Sequence, residues 1–589
     1  MAAASFSSIP HIPRAKLMRP VLSMMIVALL AGCTQDVPPP APPAPVLPPA
    51  SALTEYYGTL LPFAAESVYF VVTDRFVNGD VSNDQREQGG ARKTFDIPLP
   101  PCDGVVGNIG YLGGDFRGLL DNADYIREMG FGSVWITPIV ENPDEAFSGG
   151  DPISCTSFLS DRGKSAYHGY WGSNFYRVDE HLPSEGLQFA DLTRELKAKG
   201  LKTVLDVVGN HTSPAWTMSE RQPGFGQLFA ADGSLIADHE NLPPDQLKPL
   251  QNPLHAFYNS KADLAQLGDL DANNPAVMDY LVGAYLQWIE QGAAALRVDT
   301  IRHQPLAFWK TFAERIREKH PDFFMFGEAF DYEATKIAPH TWDENGRYSL
   351  LDFPLKKAML EVFENPNGDY AALSSALLLT EGPYQNPYEL TTFYDNHDMP
   401  RMRASDAGFI DAHNWLFTAR GIPVIYYGSE MGFMRGQLEH GGNRAYFGVE
   451  GIAAARANPI REHLTRIAKV RAASPALQRG LQLTIEMAGD RAAFYRVLQL
   501  EGEAQTALVL LNKGETAAEF ALGEMQQAGR WRNAVADEVV SIEAGTNQRF
   551  NVEPHAVQVW LLDSTITSPA LTAKLDLLMA GRERRTSGG

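Results

Sequence analysis

Cysteine is nearly missing from this chain: three in 589 residues, at positions 33, 102 and 155. That excludes a small fold held together by many disulfides. Positive charge is short as well. With 50 Lys and Arg against 71 Asp and Glu, the formal net charge is -21. A nucleic-acid partner is excluded on that balance, which suits a soluble protein acting on neutral ligands. Long apolar runs are also lacking: the stretch Val21 to Leu30 falls short of the roughly 20 residues that span a bilayer. What remains is ample core material, 44% hydrophobic residues, in a chain too long for one ordinary domain, so two or three are expected.

Arg14, Lys16 and Arg19 precede the apolar stretch, and Leu30-Ala31-Gly32-Cys33 ends it. Residues 1–33 resemble a bacterial secretory signal with a lipobox, which implies that Cys33 becomes the lipidated first residue. Thr34 stands where an Asp would resemble an inner-membrane retention signal, so the expectation is a cell-envelope protein anchored by lipid to the outer membrane. Residues 34–60 follow as a linker. The prolines between Pro38 and Pro49 are too dense for a helix or a central strand and predict a stiff polyproline spacer. Cys102 and Cys155 are candidates for a disulfide between loops in an oxidising compartment, with two free thiols as the alternative.

Strand-length apolar stretches recur at Ser67–Val72, Gly132–Thr137, Lys202–Val208, Ala293–Val298, Phe323–Phe326, Ser349–Phe353, Leu390–Tyr394 and Pro423–Tyr427. Helical periodicity lies between several of them, as at Phe189–Lys199, Ala276–Gln291 and Pro305–Lys319. Eight strands alternating with helices predict an α/β fold, a (β/α)8 TIM barrel over residues 61–478. One connection, about 212–267, is rich in Pro, Gly, Asn and Asp and too long for a plain loop, which marks it as functional. From 479 to 565 short alternating stretches predict a β-sandwich domain. Residues 566–589 read as a helix and a frayed tail.

Four strand-like segments end in acids or imidazoles. They are Leu205-Asp206-Val207-Val208-Gly209-Asn210-His211, Leu296-Arg297-Val298-Asp299, Phe326-Gly327-Glu328 and Phe393-Tyr394-Asp395-Asn396-His397-Asp398. In a parallel barrel the carboxyl ends of the strands form the catalytic face, so these charges are expected to converge on one rim. In order and residue type the four segments resemble the signature regions of the alpha-amylase family of retaining glycoside hydrolases and transglycosidases. The resemblance runs from about Ser67 to about Gly448.

It implies Asp299 as nucleophile and Glu328 as general acid and then base, with carboxyls about 5 to 5.5 Å apart. Charges that close raise one another's pKa and favour a protonated Glu328. Arg297, on the same strand face as Asp299, is expected to keep the nucleophile ionised. Asp398 resembles the third family acid, which grips sugar hydroxyls, and His211, His397 and His303 are expected at the sugar. Asp206 is expected to order Arg297. Tyr170, in Tyr167-His168-Gly169-Tyr170-Trp171, corresponds to the family's aromatic platform, and Phe330 to an aromatic that holds acceptor sugars. The connection at 212–267 corresponds to the family's domain B.

The resemblance also implies calcium. Asn78, Asp80, Asn83 and Asp84, with Gly113 and Asp115, are similar to the amino-terminal calcium loop of cyclodextrin glucanotransferases, although Asn and Asp are exchanged at two positions. Both remain hard oxygen donors. A second ion would use Asn210, Asp269 and the carbonyl of His303 and pin domain B to the barrel. The chain departs from the family at Arg302-His303, where Lys-His is common. The expected activity is hydrolysis of α-1,4-glucan, starch or maltodextrin, by an endo-acting alpha-amylase. The alternative is a cyclomaltodextrinase, neopullulanase or glucanotransferase with the same acids. No segment resembles the starch-binding domains of cyclodextrin glucanotransferases, which favours the hydrolase at this point.

Overall fold

The computed structural model describes residues 55–84, 93–157 and 160–587, side chains of 583–587 excepted. Cys33, the secretory-signal segment and the proline-rich stretch lie outside the described residues. Eight parallel strands form the central sheet: β1 (Val68–Val71), β2 (Ser133–Ile136), β3 (Lys202–Val207), β4 (Ala293–Val298), β5 (Phe324–Gly327), β6 (Ser349–Leu350), β7 (Thr391–Thr392) and β8 (Ile422–Tyr426). Their order is β6-β5-β4-β3-β2-β1-β8-β7, and a parallel bridge from Leu351 to Thr391 joins the two edges. The sheet is therefore a (β/α)8 barrel. Helices cover its outside and side chains fill its inside, which is why strands such as Val68–Val71 are buried at every position.

Strands β6 and β7 are the most shortened against their apolar stretches, to two residues each. After β6 the chain turns into helix Phe353–Phe363, because the Asp352 side chain accepts from Leu355 N as its cap. After β7, Phe393 to Asp398 leave the sheet and climb to the rim. Other helices start at Asn-Pro or Ser-Pro pairs. Asn274 caps Pro275–Glu290, Asn458 caps Pro459–Ala472 and Ser474 caps Pro475–Arg479, each side chain accepting an orphan N–H while proline supplies a first-turn φ.

The connection after β3 begins and ends in one antiparallel pair, His211–Pro214 with Leu267–Asp269. Inside this neck lies a second hairpin, Gln227–Phe229 with Leu235–Asp238. Beyond the barrel, β9 (Leu481–Ala488), β10 (Arg491–Leu500), β11 (Glu503–Asn512), β12 (Ala518–Ala521), β13 (Gly529–Asn533), β14 (Glu538–Ile542), β15 (Arg549–Val552) and β16 (Ala556–Leu562) follow. Six form an antiparallel sheet in the order β9-β10-β11-β16-β13-β14, and β12 pairs with β15. Tyr495, Leu508, Trp531, Phe520 and Phe550 share one core between sheet and ribbon. Alternate residues Phe494, Val509 and Leu511 join the barrel core instead, so the sheet is buried on both faces.

Both ends of the fold extend beyond the expected boundaries. Residues 55–60 are not spacer: Tyr56 exchanges backbone hydrogen bonds with Gln499, 2.8 Å each way, and Gly58 N donates to Arg479 O. The carboxy-terminal segment carries the expected helix, Pro569–Ser587, and that helix is docked. Leu571, Leu575 and Met579 are buried against the sandwich, and Tyr56 Oη donates to Asp576 Oδ1 at 2.7 Å.

Candidate active site

The barrel register puts the expected residues in one layer. Arg297 stands level with Asp206 on β3 and with Phe326 on β5. Two residues on, Asp299 N donates to Val207 O at 2.9 Å, and Glu328 N donates to Val298 O at 2.8 Å. The sheet's own ladder therefore delivers both acids to the same rim. Thr300, next to Asp299, adopts a left-handed conformation at φ 46°, an uncommon state for a β-branched residue and a strain placed at the site.

Arg297 is fully buried and serves three carboxylates. Its Nη1 donates to Asp206 Oδ1 at 2.8 Å and to Asp299 Oδ1 at 2.9 Å, while Nη2 lies 2.8 Å from Glu328 Oε2. One guanidinium thus draws the two expected reacting acids together. Thr300 Oγ1 donates to Asp299 Oδ2 at 3.0 Å, which leaves Asp299 held on both oxygens. Burial pushes the Glu328 carboxyl well above the usual carboxylate range; Arg297 opposes this, and the charges of Asp398 and Asp299 add to it. Burial and the neighbouring acids thus favour the protonated form of Glu328, against Arg297.

Asp206 faces no open cleft. Besides Arg297 it accepts from Trp135 Nε1 at 3.0 Å and Tyr170 Oη at 2.7 Å. Tyr170 borders the cavity while its ring stacks on His397, with centroids 5.3 Å apart. Asp398 sits across the cavity, 2.7 Å from Arg444 Nη2 and 3.3 Å from His397 Nε2. His211 and His397 are buried and held neutral: burial pulls His211 down to about 4 and His397 well below its ordinary value. The Nδ1 of each has no hydrogen-bond partner among the described residues. His303 borders the same cavity, with Nδ1 2.7 Å from Asp263 Oδ2. The cavity measures about 530 Å³, within the size range of small-ligand sites.

Several residues that matter here fall outside the four segments. Trp135 and Arg444 each bond an acid of the site. Arg444 also bonds His397 O at 2.9 Å and pairs with Glu439 at 3.1 Å, and Glu439 pairs with Lys164 at 2.9 Å. No spacing in the sequence ties residue 444 to residue 398. Cys102 and Cys155 are disulfide-bonded, and Thr156 and Ser157, next along the chain, border the cavity.

The expected metal ligands divide into two sets and several exceptions. Asn78 Oδ1 and Asn83 Oδ1 are buried with no donor among the described residues, and Asp84 Oδ1 lies 2.8 Å from Asn78 Nδ2. Gly113 closes the loop at φ 86°, where a Cβ would stand 2.3 Å from Asn78 Nδ2 and 2.5 Å from Asp84 Oδ1. Bare oxygens in a tight cradle fit a hard cation. Asp115 departs from the expectation, because it caps helix Phe116–Asp121 and accepts from Gly79, Asp80 and Gly118 N–H. Asp80 also departs, its Oδ1 accepting from Ser82 N and Oγ. At the domain B neck, Asp269 Oδ1 is buried without a donor, and burial pushes the Asp269 carboxyl up to about 7. Asn210 precedes the neck strand paired with Asp269. This is a second place where a cation would satisfy an orphan oxygen.

A family model described as alpha amylase, catalytic domain, matches residues 70–447. The chain belongs to the alpha-amylase family. It is 32% identical over 385 residues to a cyclomaltodextrin glucanotransferase of Bacillus licheniformis, an alignment covering 62% of this chain and 49% of that protein. It is 28% identical over 530 residues to the enzyme of that name from Geobacillus stearothermophilus, covering 86% and 69%. The chain thus spans about half the length of the Bacillus licheniformis relative. Among solved structures, an alpha-amylase of Geobacillus thermoleovorans complexed with acarbose aligns at 25% identity and TM-score 0.64, covering 85% of this chain and 99% of that one. A cyclomaltodextrin glucanotransferase with a three-domain ABC distribution aligns at 28% identity and TM-score 0.68, covering 85% and 99%. That structure removes one reason for preferring a hydrolase, since a glucanotransferase need not carry additional domains. Alpha-amylase family chemistry, as glycosidase or transglycosidase, is the level at which hydrolases and transferases are both similar to this chain.

Proposed function

We propose that the protein is a retaining α-1,4-glucan hydrolase of the alpha-amylase type, acting on starch or maltodextrins. The observation that carries this is the single buried Arg297 guanidinium lying against both Asp299 and Glu328 at a cavity wall. Asp299, paired with Arg297, attacks the anomeric carbon while Glu328 protonates the leaving oxygen; a water oxygen then bonds to the anomeric carbon as Glu328 takes its proton, and the ester to Asp299 breaks and returns the electron pair to the carboxylate. Asp398, His211 and His397 bind the hydroxyls of the sugar being cleaved. Glycosyl transfer by the same acids is the second reading, favoured by the glucanotransferase relatives and by the exposed Phe330 beside Glu328.

Digests of soluble starch, cyclodextrin and pullulan test this. Linear maltooligosaccharides released with the α-anomer first are expected. Inversion, or no new reducing ends, would overturn the retaining-hydrolase reading, and cyclic products would establish the transferase instead.

Asn78, Asn83, Asp84 and the Gly113 carbonyl would hold one calcium ion, and Asn210 and Asp269 with the His303 carbonyl a second. Calcium there supplies positive charge that ties loops to the barrel. The proposed location is the cell envelope, through a lipid on Cys33. The support is the lipobox resemblance, and loss of palmitate labelling in Cys33→Ser is the test.

A further inference from the structure

A chain of alternating charge leads from Asp398 into the cavity wall. Arg444 Nη2 lies 2.7 Å from Asp398 Oδ1, and Arg444 Nη1 lies 3.1 Å from Glu439 Oε1. The same Glu439 oxygen accepts from Lys164 Nζ at 2.9 Å, and Lys164 Nζ also donates to Asp161 Oδ1 at 2.8 Å. Asp161 ends the chain beside the neck of domain B, its Oδ2 accepting from Gln266 Nε2 at 2.7 Å. Five charged groups thus alternate in sign from Asp161 to Asp398.

Lys164 borders the cavity, yet its side chain is only 5% exposed and its ammonium is committed to two carboxylates. It is built into the wall rather than offered to a sugar. The backbone that carries it is tied on both sides: Gly163 N donates to Phe147 O at 2.8 Å, Phe147 N to Lys164 O at 2.9 Å and Ser165 N to Ile109 O at 3.0 Å. An ammonium at that depth is costly unless paired, so the anions it meets account for its place.

Charge balance shows what Lys164 does for them. Burial works against ionisation of Glu439, but Arg444 and Lys164 together hold its carboxyl below the usual range. His440, 3.9 Å from Glu439, adds no charge near neutral pH, because burial pulls it down to about 4. Without Lys164, the cation left to Glu439 among the described residues is the guanidinium that also holds Asp398. Two carboxylates would then compete for Arg444. Glu439, with a side chain 9% exposed against 28% for Asp398, has the advantage, since attraction is stronger where water is excluded. We propose that Lys164 is a positioning residue for Asp398: by sharing the charge of Glu439 it leaves Arg444 to orient the Asp398 carboxylate and, through a 2.9 Å bond to His397 O, the backbone before it. The inference rests on the role proposed above for Asp398, whose grip on the sugar being cleaved weakens when its carboxylate is no longer held in place.

The test measures kcat and KM of the full-chain enzyme on maltoheptaose, well below the Tm of each variant. Lys164→Met, uncharged and of similar length, is expected to lower kcat/KM about tenfold. Lys164→Gln should lose as much and serves if the methionine variant folds poorly. Adding Glu439→Gln to either variant removes the competing charge, and is expected to bring kcat/KM back to within about threefold of the native value. A residue that only fills space would show no such recovery. Native kcat/KM in Lys164→Met or Lys164→Gln overturns the inference, whatever happens to Tm, and so does a loss that Glu439→Gln fails to restore; both leave the hydrolase standing. A native enzyme that leaves maltoheptaose intact overturns the function beneath, and the inference with it.

Discussion

Replacing Glu328 by glutamine separates proton donation from everything else this side chain does. The amide keeps the shape, and its oxygen can still face Arg297 Nη2, which lies 2.8 Å from Glu328 Oε2. What is lost is the acidic proton, and general acid catalysis contributes about 10² to 10⁴ in rate. Cleavage of maltoheptaose by Glu328→Gln should therefore fall by at least about 100-fold. Maltosyl fluoride, whose leaving group needs no proton, should be cleaved at close to the native rate of glycosyl-enzyme formation. The pH dependence carries a sign. Burial raises the Glu328 carboxyl well above the usual range, so native activity falls as pH rises through that raised value, and Glu328→Gln should lack this basic limb with the fluoride. Stability moves the opposite way from an ordinary ion pair. An acid whose folded pKa is raised binds its proton more tightly when folded, so its contribution is lost as pH rises from the unfolded value of about 4.3. Glutamine removes that loss, so Tm at pH 7 should not drop below the native value. Burst-phase fluoride release, steady-state cleavage of maltoheptaose and a Tm series against pH are the measurements. If the variant kept more than about a tenth of its maltoheptaose activity, or needed the same acidic form for the fluoride, that result would falsify the role of Glu328.

Asp299→Ala should reduce turnover about 10⁴-fold or more, and mass spectrometry with a fluorinated slow substrate should detect no covalent adduct; an adduct on this variant places the nucleophile elsewhere. Arg444→Ala leaves Glu439 with Lys164 as its cation and takes the guanidinium from the half-buried Asp398, and should cost about 1.5–3 kcal/mol in denaturant unfolding while raising KM; a loss under about 0.5 kcal/mol refutes the pairing seen here. The Cys102→Ser, Cys155→Ser double variant opens a crosslink between residues 53 apart and should lose about 2–4 kcal/mol under oxidising conditions, with a higher KM because Thr156 and Ser157 border the cavity. Chelation should lower the native Tm, and Asn83→Ala with Asp269→Ala should remove most of that response in calorimetry; an undiminished response would move the cation elsewhere.

Much of the site was legible because barrel strands are buried on both faces. A run such as Lys202–Val208 has nothing to hide except where it ends, and an acid at that end has one place to go. Asp206, Asp299, Glu328 and Asp398 could be read for that reason. The strand limits blurred where a cap took over, as at Asp352, since a capping carboxylate and a strand-end carboxylate look alike in sequence. Asp115 shows the same ambiguity: a carboxylate beside a glycine pair reads as a cation ligand, yet backbone N–H groups claim it. Residues 55–60 were misjudged because their partners, Gln499 and Arg479, lie hundreds of residues away.

By itself the sequence determined the family, the barrel and which acids end its strands, since each depends on local residue type and on order along the chain. Only the tertiary structure decided how those acids are charged and supported. Burial raises Glu328 and lowers the two histidines, and burial is a property of packed neighbours. Arg444 and Trp135 bond acids of the site through contacts made across the fold, and contacts at that range leave no spacing to read.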